Sequence, residues 1–199
     1  SSGNLTTTTG VTVEAEGGVS LTSADGTGSH TLIGLGGNRQ WGDKAGPVSV
    51  TSNTGGVSLS SGSNEDSFSQ IGAGGQFASD GTIDSDVTVQ ADGLISLMSG
   101  SGENAFTMIG NGGNGVDGAK AGTVRVTSDN GGLTMMAGTS GSNGDSFSMI
   151  GSGGHATSGV ITSNVIVDVD GNIAMTSGGA AKAFTQIGLG GRDADGAVA

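Results

Sequence analysis

Ile109-Gly110-Asn111-Gly112-Gly113 is one of five copies of a single phrase, the others being Ile33-Gly34-Leu35-Gly36-Gly37, Ile71-Gly72-Ala73-Gly74-Gly75, Ile150-Gly151-Ser152-Gly153-Gly154 and Ile187-Gly188-Leu189-Gly190-Gly191. The isoleucines are separated by 38, 38, 41 and 37 residues. A period of that length belongs to arrays in which each unit is stable only because its neighbour covers it. Upstream of each phrase apolar residues alternate with polar ones: Val11, Val13, Ala15, Gly17, Val19 and Leu21 share one parity, as do Val87, Val89, Ala91, Gly93, Ile95 and Leu97, and Val165, Val167, Val169, Gly171, Ile173 and Met175. Period two over such a stretch predicts two short strands, a and b, joined at a glycine bend with one face inward. A polar loop follows, for example Ser99-Gly100-Ser101-Gly102-Glu103-Asn104, and then a third strand, c, read as Phe106-Thr107-Met108-Ile109. The glycines after it are read as positive-φ turns leading to the next strand a.

A meander of fifteen strands would also show regular turns, but its corners need not repeat in composition. Parallel stacking requires that they do, with equivalent residues about 4.8 Å apart in columns. The columns are present. Phe68, Phe106, Phe147 and Phe184 form one, with His30 in place of the first Phe; Ile33, Ile71, Ile109, Ile150 and Ile187 form another. Between them run a hydroxyl row (Thr31, Ser69, Thr107, Ser148, Thr185) and a row of long side chains (Leu32, Gln70, Met108, Met149, Gln186). The expected fold is therefore an all-β parallel β-solenoid, or β-helix, of about five coils of roughly 38 residues with three short strands each. The chain reads as one segment, 1–199, with repeats at 11–47, 48–86, 87–123, 124–164 and 165–199. Phe and Ile three apart break strict alternation, so either both faces of strand c are covered or a bulge turns the chain there.

A longer period overlies the first. Val50 to Val57 and Val126 to Leu133 span seven residues, whereas Val13 to Val19, Val89 to Ile95 and Val167 to Ile173 span six. The second and fourth repeats also share Ser63-Asn64 with Ser142-Asn143, and Asp66-Ser67-Phe68-Ser69 with Asp145-Ser146-Phe147-Ser148. The unit is a duplicated pair. Neither Ser1-Ser2-Gly3-Asn4-Leu5 nor Asp195-Gly196-Ala197-Val198-Ala199 resembles a polar cap, which predicts that further coils, of the same chain or of another copy, stack end to end on this one.

Composition agrees with a thin stacked core: 43 glycines, five Phe, one Trp and no Tyr leave few large side chains for a globular one. A formal net charge of -12 opposes binding to nucleic acid or to anionic lipid headgroups. Nothing approaches the roughly 20 apolar residues that cross a bilayer, so no membrane insertion is expected, and the N-terminus lacks the pattern of a secretion signal. The absence of cysteine fits large secreted proteins without deciding the compartment.

The run Val87-Thr88-Val89-Gln90-Ala91-Asp92-Gly93-Leu94-Ile95-Ser96-Leu97 followed by Asn104-Ala105-Phe106-Thr107-Met108-Ile109-Gly110-Asn111-Gly112-Gly113 resembles repeats of very large bacterial surface proteins of the filamentous-haemagglutinin-like class. Phe184-Thr185-Gln186-Ile187-Gly188-Leu189-Gly190-Gly191 carries the likeness furthest, and it extends from about Val11 to Gly191. The resemblance implies a right-handed helix, secretion to the cell surface, and a role in adhesion or coating. That family's usual His before Gly-Gly is replaced here by Leu35, Ala73, Asn111, Ser152 and Leu189.

No motif announces a chemistry. Asp168-Val169-Asp170-Gly171-Asn172 imitates the start of a calcium loop, but the twelfth position is Gly179. Gly112-Gly113-Asn114-Gly115-Val116-Asp117 is a lone copy of a calcium-roll pattern that needs tandem copies. His30 and His155 fall at different places in their repeats, serines lack a nucleophile elbow, and the glycine-rich loops lack the Lys-Ser/Thr of a phosphate loop. Asp84 and Asp86 with Arg125 of the next repeat form the one catalytic constellation worth inspecting. The column Thr12, Ser49, Thr88, Arg125, Ile166 is too irregular to bind ice. Trp41 lies in a long loop with Pro47, either packed on the coil or free to contact sugar. The reading is a non-enzymatic structural or adhesive segment of an extracellular or cell-surface protein, without cofactors, whose partners are copies of itself, adjoining repeats, or surface glycans. A carbohydrate-binding or carbohydrate-cleaving β-helix is the alternative.

Overall fold

The computed structural model of the chain describes residues 9–79, 81–138 and 144–198. All the regular structure in them is strand, and every strand pairing is parallel. Three sheets run along the molecule. The first is built from β1 (Val11–Ala15), β5 (Val48–Ser52), β9 (Val87–Ala91), β12 (Lys120–Ser128) and β15 (Ile161–Val169), with two short strands, β4 (Lys44–Ala45) and β8 (Ile83–Asp84), preceding β5 and β9. The second stacks β2 (Val19–Thr22), β6 (Val57–Ser60), β10 (Ile95–Met98), β13 (Leu133–Ala137) and β16 (Ile173–Ser177). The third stacks β3 (His30–Asn38), β7 (Phe68–Gln76), β11 (Phe106–Asn114), β14 (Phe147–His155) and β17 (Phe184–Arg192). In every sheet the neighbour of a strand is its equivalent one repeat away. The fold is a β-solenoid of about five turns, and the meander is excluded.

Register follows the sequence columns residue by residue. Val11, Val48, Val87, Val124 and Val165 are successive partners, as are Val19, Val57, Ile95, Leu133 and Ile173. A one-residue slip would turn each inward Val outward, so the buried face pins the pairing.

The third sheet departs from the sequence reading. Its strands do not end at the isoleucine; each is nine residues long and runs on through the glycine phrase, which lies inside the ladder and is not a turn after it. In the central coils both faces are covered: β7 and β11 are buried at every position. The isoleucines pack with the valines and leucines of the other two sheets, whereas Phe68, Phe106, Phe147, Met108 and Met149 form a second, separate cluster with Phe184 against it. Phe and Ile three apart thus face opposite sides of one strand, and of the two alternatives the covered double face is the one found.

The cover for the Phe side is the strand itself. Ten extended residues would span roughly 33 Å, yet Gln76 Nε2 donates to Asp66 Oδ1 at 2.8 Å, and a methyl on Gly113 would lie 3.3 Å from Phe106 Cζ. The chain curls around its own aromatic ring. Glycines at positive φ, Gly110 (142°), Gly112 (128°) and Gly113 (138°), permit that curl. Inside it the rings stack with centroids 4.9, 4.8, 4.8 and 5.0 Å apart from His30 to Phe184. Beside them Gln70 Nε2 donates to the carbonyls of Gly110 (3.1 Å) and Gly112 (3.2 Å) in the next coil. On the other face the hydroxyl row bonds along its length, Thr31 with Ser69 and Thr107 with Ser148 at 2.8 Å, and Ser69 Oγ donates to Ser60 O at 2.6 Å, tying the third sheet to the end of the second.

The two-coil period has a physical origin at the bend between the first two sheets. Ser52 and Ser128 stand in one column with Ala15, Ala91 and Val169. Each serine is buried and donates to a carbonyl of the preceding coil, Ser52 Oγ to Gly17 O and Ser128 Oγ to Gly93 O, both at 2.8 Å. The longer bend of the even coils leaves the odd coil's glycine carbonyl to the serine. Ser142 and Asn143, Ser1 to Leu5, and Ala199 lie outside the described residues.

Candidate functional site

Column geometry leaves chemistry to the corners and to the outward faces of the strands. The corner between the third sheet and the next first-sheet strand holds the buried charge. Lys120 is fully buried, and its Nζ donates to three backbone carbonyls, Val116 O, Gly118 O and Ser158 O, each at 2.9 Å. Lys44 repeats the arrangement two coils earlier, with Nζ 3.0 Å from Gly42 O and 3.4 Å from Gln40 O, again the carbonyls two and four residues before the lysine. Burial pushes the Lys120 ammonium down to about 8, against the pull of the Asp117 carboxylate, and pushes Lys44 down against Asp43. Asp43 itself is held below the usual carboxylate range by the backbone N–H of Thr82, 2.8 Å away, and then by that residue's hydroxyl. Lysines four residues ahead of the first-sheet column valine were missed in the sequence, although Lys44-Ala45-Gly46-Pro47-Val48 and Lys120-Ala121-Gly122-Thr123-Val124 carry them at the same offset.

A second cluster lies where the curl of the third sheet closes. His155 Nδ1 is 2.9 Å from Asn114 Oδ1, and its Nε2 lies 3.7 Å from Asp145 and 3.6 Å from Asp193; Arg192 pairs with Asp145 and, at 3.1 Å, with Asp193. His155, Asp145, Arg192 and Asp193 pair with one another along the column while Asn114 Nδ2 is buried without a hydrogen-bond partner among the described residues, and no nucleophile stands among them. Elsewhere the constellation proposed from sequence does not assemble. Asp86 Oδ1 accepts the backbone N–H of Thr123 at 2.7 Å, and among the described residues no ion pair joins Arg125 to Asp84 or Asp86. Asp168 sits in β15 opposite Thr127, and among the described residues no three His, Asp or Glu side chains converge on a point that could hold a metal. Calorimetric titration with calcium is accordingly expected to give only weak, unsaturated heats, and a stoichiometric micromolar isotherm would show that the aspartate turns had been misjudged.

The Phe and Ile columns stand on the two faces of the third sheet: Phe68, Phe106 and Phe147 are fully buried with Phe184 at their end, and Ile71, Ile109 and Ile150 are fully buried between Ile33 and Ile187. Trp41 is half exposed, and the loop it shares with Pro47 contains the short strand β4. Nearby in the columns, the ring of Phe77 is partly exposed with the Arg39 guanidinium 5.9 Å from its centroid. At the last coil the columns are open: Ile173 is 50% and Met175 40% exposed where their partners Leu133 and Met135 are fully buried. A cavity of about 190 Å³ opens on the same coil, among Ile161, Gln186, Leu189, Asp195 and Val198, with Asp195 its one titratable wall residue. Among the described residues no helix is long and apolar enough to cross a membrane. Comparison with protein-family models, with curated proteins and with solved structures finds no match to this chain.

Proposed function

We propose that the chain is a non-enzymatic structural or adhesive segment of a secreted bacterial surface protein, forming a rod, coat or filament by coil stacking. The observation that carries the reading is the unbroken register: the third-sheet strands pair residue for residue through all five coils, and among the described residues no break interrupts that ladder. An enzyme on such a scaffold concentrates its acid, base or nucleophile at one interruption. The likeness of residues 11–191 to surface-protein repeats supports the same reading. The half-exposed Ile173 and Met175 suit the coil face to further coils, whether of the same chain or of another copy. Such a head-to-tail contact propagates and does not close, while the charge of -12 holds filaments apart laterally.

Glycan contact is the second reading, favoured by the half-exposed Trp41. Electron microscopy of the purified chain over a concentration series tests the first. Rods that lengthen end to end at about 4.8 Å per added coil are expected. Particles that stay single at every concentration, together with measurable cleavage of a polysaccharide, would replace it with the enzymatic alternative.

A further inference from the structure

The corners at Lys120 and at Ile161 are stitched differently. Around Ile161 and Val198, the backbone does the work: Gly159 N donates to Asp195 O at 2.9 Å, and Asp195 N donates to Thr157 O at 2.8 Å. One coil earlier, around Lys120, the equivalent of the second bond is stretched, Ser158 N to Val116 O at 3.3 Å, and the equivalent of the first is replaced: Ser158 O takes its hydrogen bond from Lys120 Nζ. The same ammonium also serves Val116 O and Gly118 O. Lys44, Ile83, Lys120, Ile161 and Val198 occupy one column, and at Ile161, where the backbone closes its own bonds, the place is filled by an apolar residue.

We propose that the Lys120 corner is a monovalent-cation site built from backbone carbonyls, occupied by the chain's own ammonium, and that it accepts a free ammonium or potassium ion once that side chain is removed. Three carbonyl oxygens at 2.9 Å around a fully buried point, two from one coil and one from the next, form a coordination shell that happens to be filled from within. The one carboxylate acting on the amine is Asp117, one residue before Gly118, whose own Oδ1 accepts the Ser158 hydroxyl at 2.7 Å. Lys44 with Gly42 O and Gln40 O is the counterpart at the corner two coils away. The lysine thereby links the fourth coil's entry to the fifth's, a positioning role and not a catalytic one.

The experiment is thermal unfolding of Lys120→Ala in ammonium, potassium and tetramethylammonium chloride at equal ionic strength. The variant should melt about 5 °C or more below the parent in tetramethylammonium, which can neither donate hydrogen bonds nor enter the shell. Ammonium or potassium should restore most of that loss while leaving the parent unchanged. Equal melting in the three salts would overturn the site, as would a Lys120→Met variant that melts with the parent at pH 7. Lys44→Ala repeats the measurement at the other corner, and decides the matter if Lys120→Ala does not fold. A pH series adds a separate reading. Burial holds the folded-state amine down at about 8 against a normal 10.5, the three carbonyls offsetting only part of the ammonium's desolvation, so the unfolded chain holds more protons between those values and stability rises with pH across that window. That rise should be reduced in Lys120→Met, and an identical rise in both proteins would show that Lys120 is not the titrating group.

Discussion

Gly110→Ala is expected to prevent folding of the central coils. Gly110 has φ +142°, a region that L side chains rarely adopt, and a methyl there would overlap the carbonyl oxygen of Gly151 in the next coil. The obstacle is backbone on a ladder that is paired on both sides, so no rotamer change relieves it. Strain and lost pairing combine to exceed about 4 kcal/mol, the range that marks disruption of a special backbone site. Gly17→Ala is the control, since nothing lies within 4 Å of the added methyl and its φ is ordinary. That change should alter stability by less than about 1 kcal/mol. Circular dichroism melts of the two proteins separate the cases, and similar melting for both would mean that the glycine phrase is a loop after all.

Phe106→Ala should lower the melting temperature by about 10 °C. The ring is fully buried and stacked on Phe68 and Phe147, each 4.8 Å away and within 1° of parallel. Truncation removes about 3 to 5 kcal/mol of burial and packing, and the curl of β11 that wraps the ring has nothing else to close upon. Trp41→Ala, at a half-exposed position, should cost no more than about 0.5 kcal/mol. If the two variants melt together, the Phe cluster is not the second core described here.

How much of this could be read in the residues depended on how tightly each position is constrained by pattern. The first two sheets were legible because Val11, Val13 and Ala15 alternate with Thr12 and Glu14, and a half-buried strand leaves no other arrangement for such a run. The coil order was legible because corners repeat in composition only when they stack. The curl of the third sheet was not. A glycine phrase looks the same whether its positive φ makes a turn or bends a strand around a ring, and the difference lies in Phe106 meeting Gly113, a contact within one strand that no alternation encodes. Lys120 escaped for another reason: charge is ordinarily assigned to the surface, and three free carbonyls that make burial tolerable come from a corner with no side-chain signature. Asp84, Asp86 and Arg125 illustrate the reverse case, residues that look suggestive in sequence and form no ion pair among the described residues, Asp86 being engaged instead with the backbone of Thr123.

Coils stacked in parallel, one repeat above the next, are what hold the fold together, and a chain without cysteine allows that stacking to be tested directly. Ser58 and Ser96 are partners in adjacent strands of the second sheet, both on its outer face. Cysteines at the two positions should oxidise to a disulfide in the folded protein, because paired strands bring the α-carbons about 4.8 Å apart, within the span that such a bond bridges. Ser58→Cys combined with Thr88→Cys, which lies in a different sheet, should stay reduced under the same conditions. Rapid, quantitative cross-linking of the first pair and none of the second is the result the stacked solenoid predicts; a first pair that stays reduced, or a second that closes as readily, would contradict it.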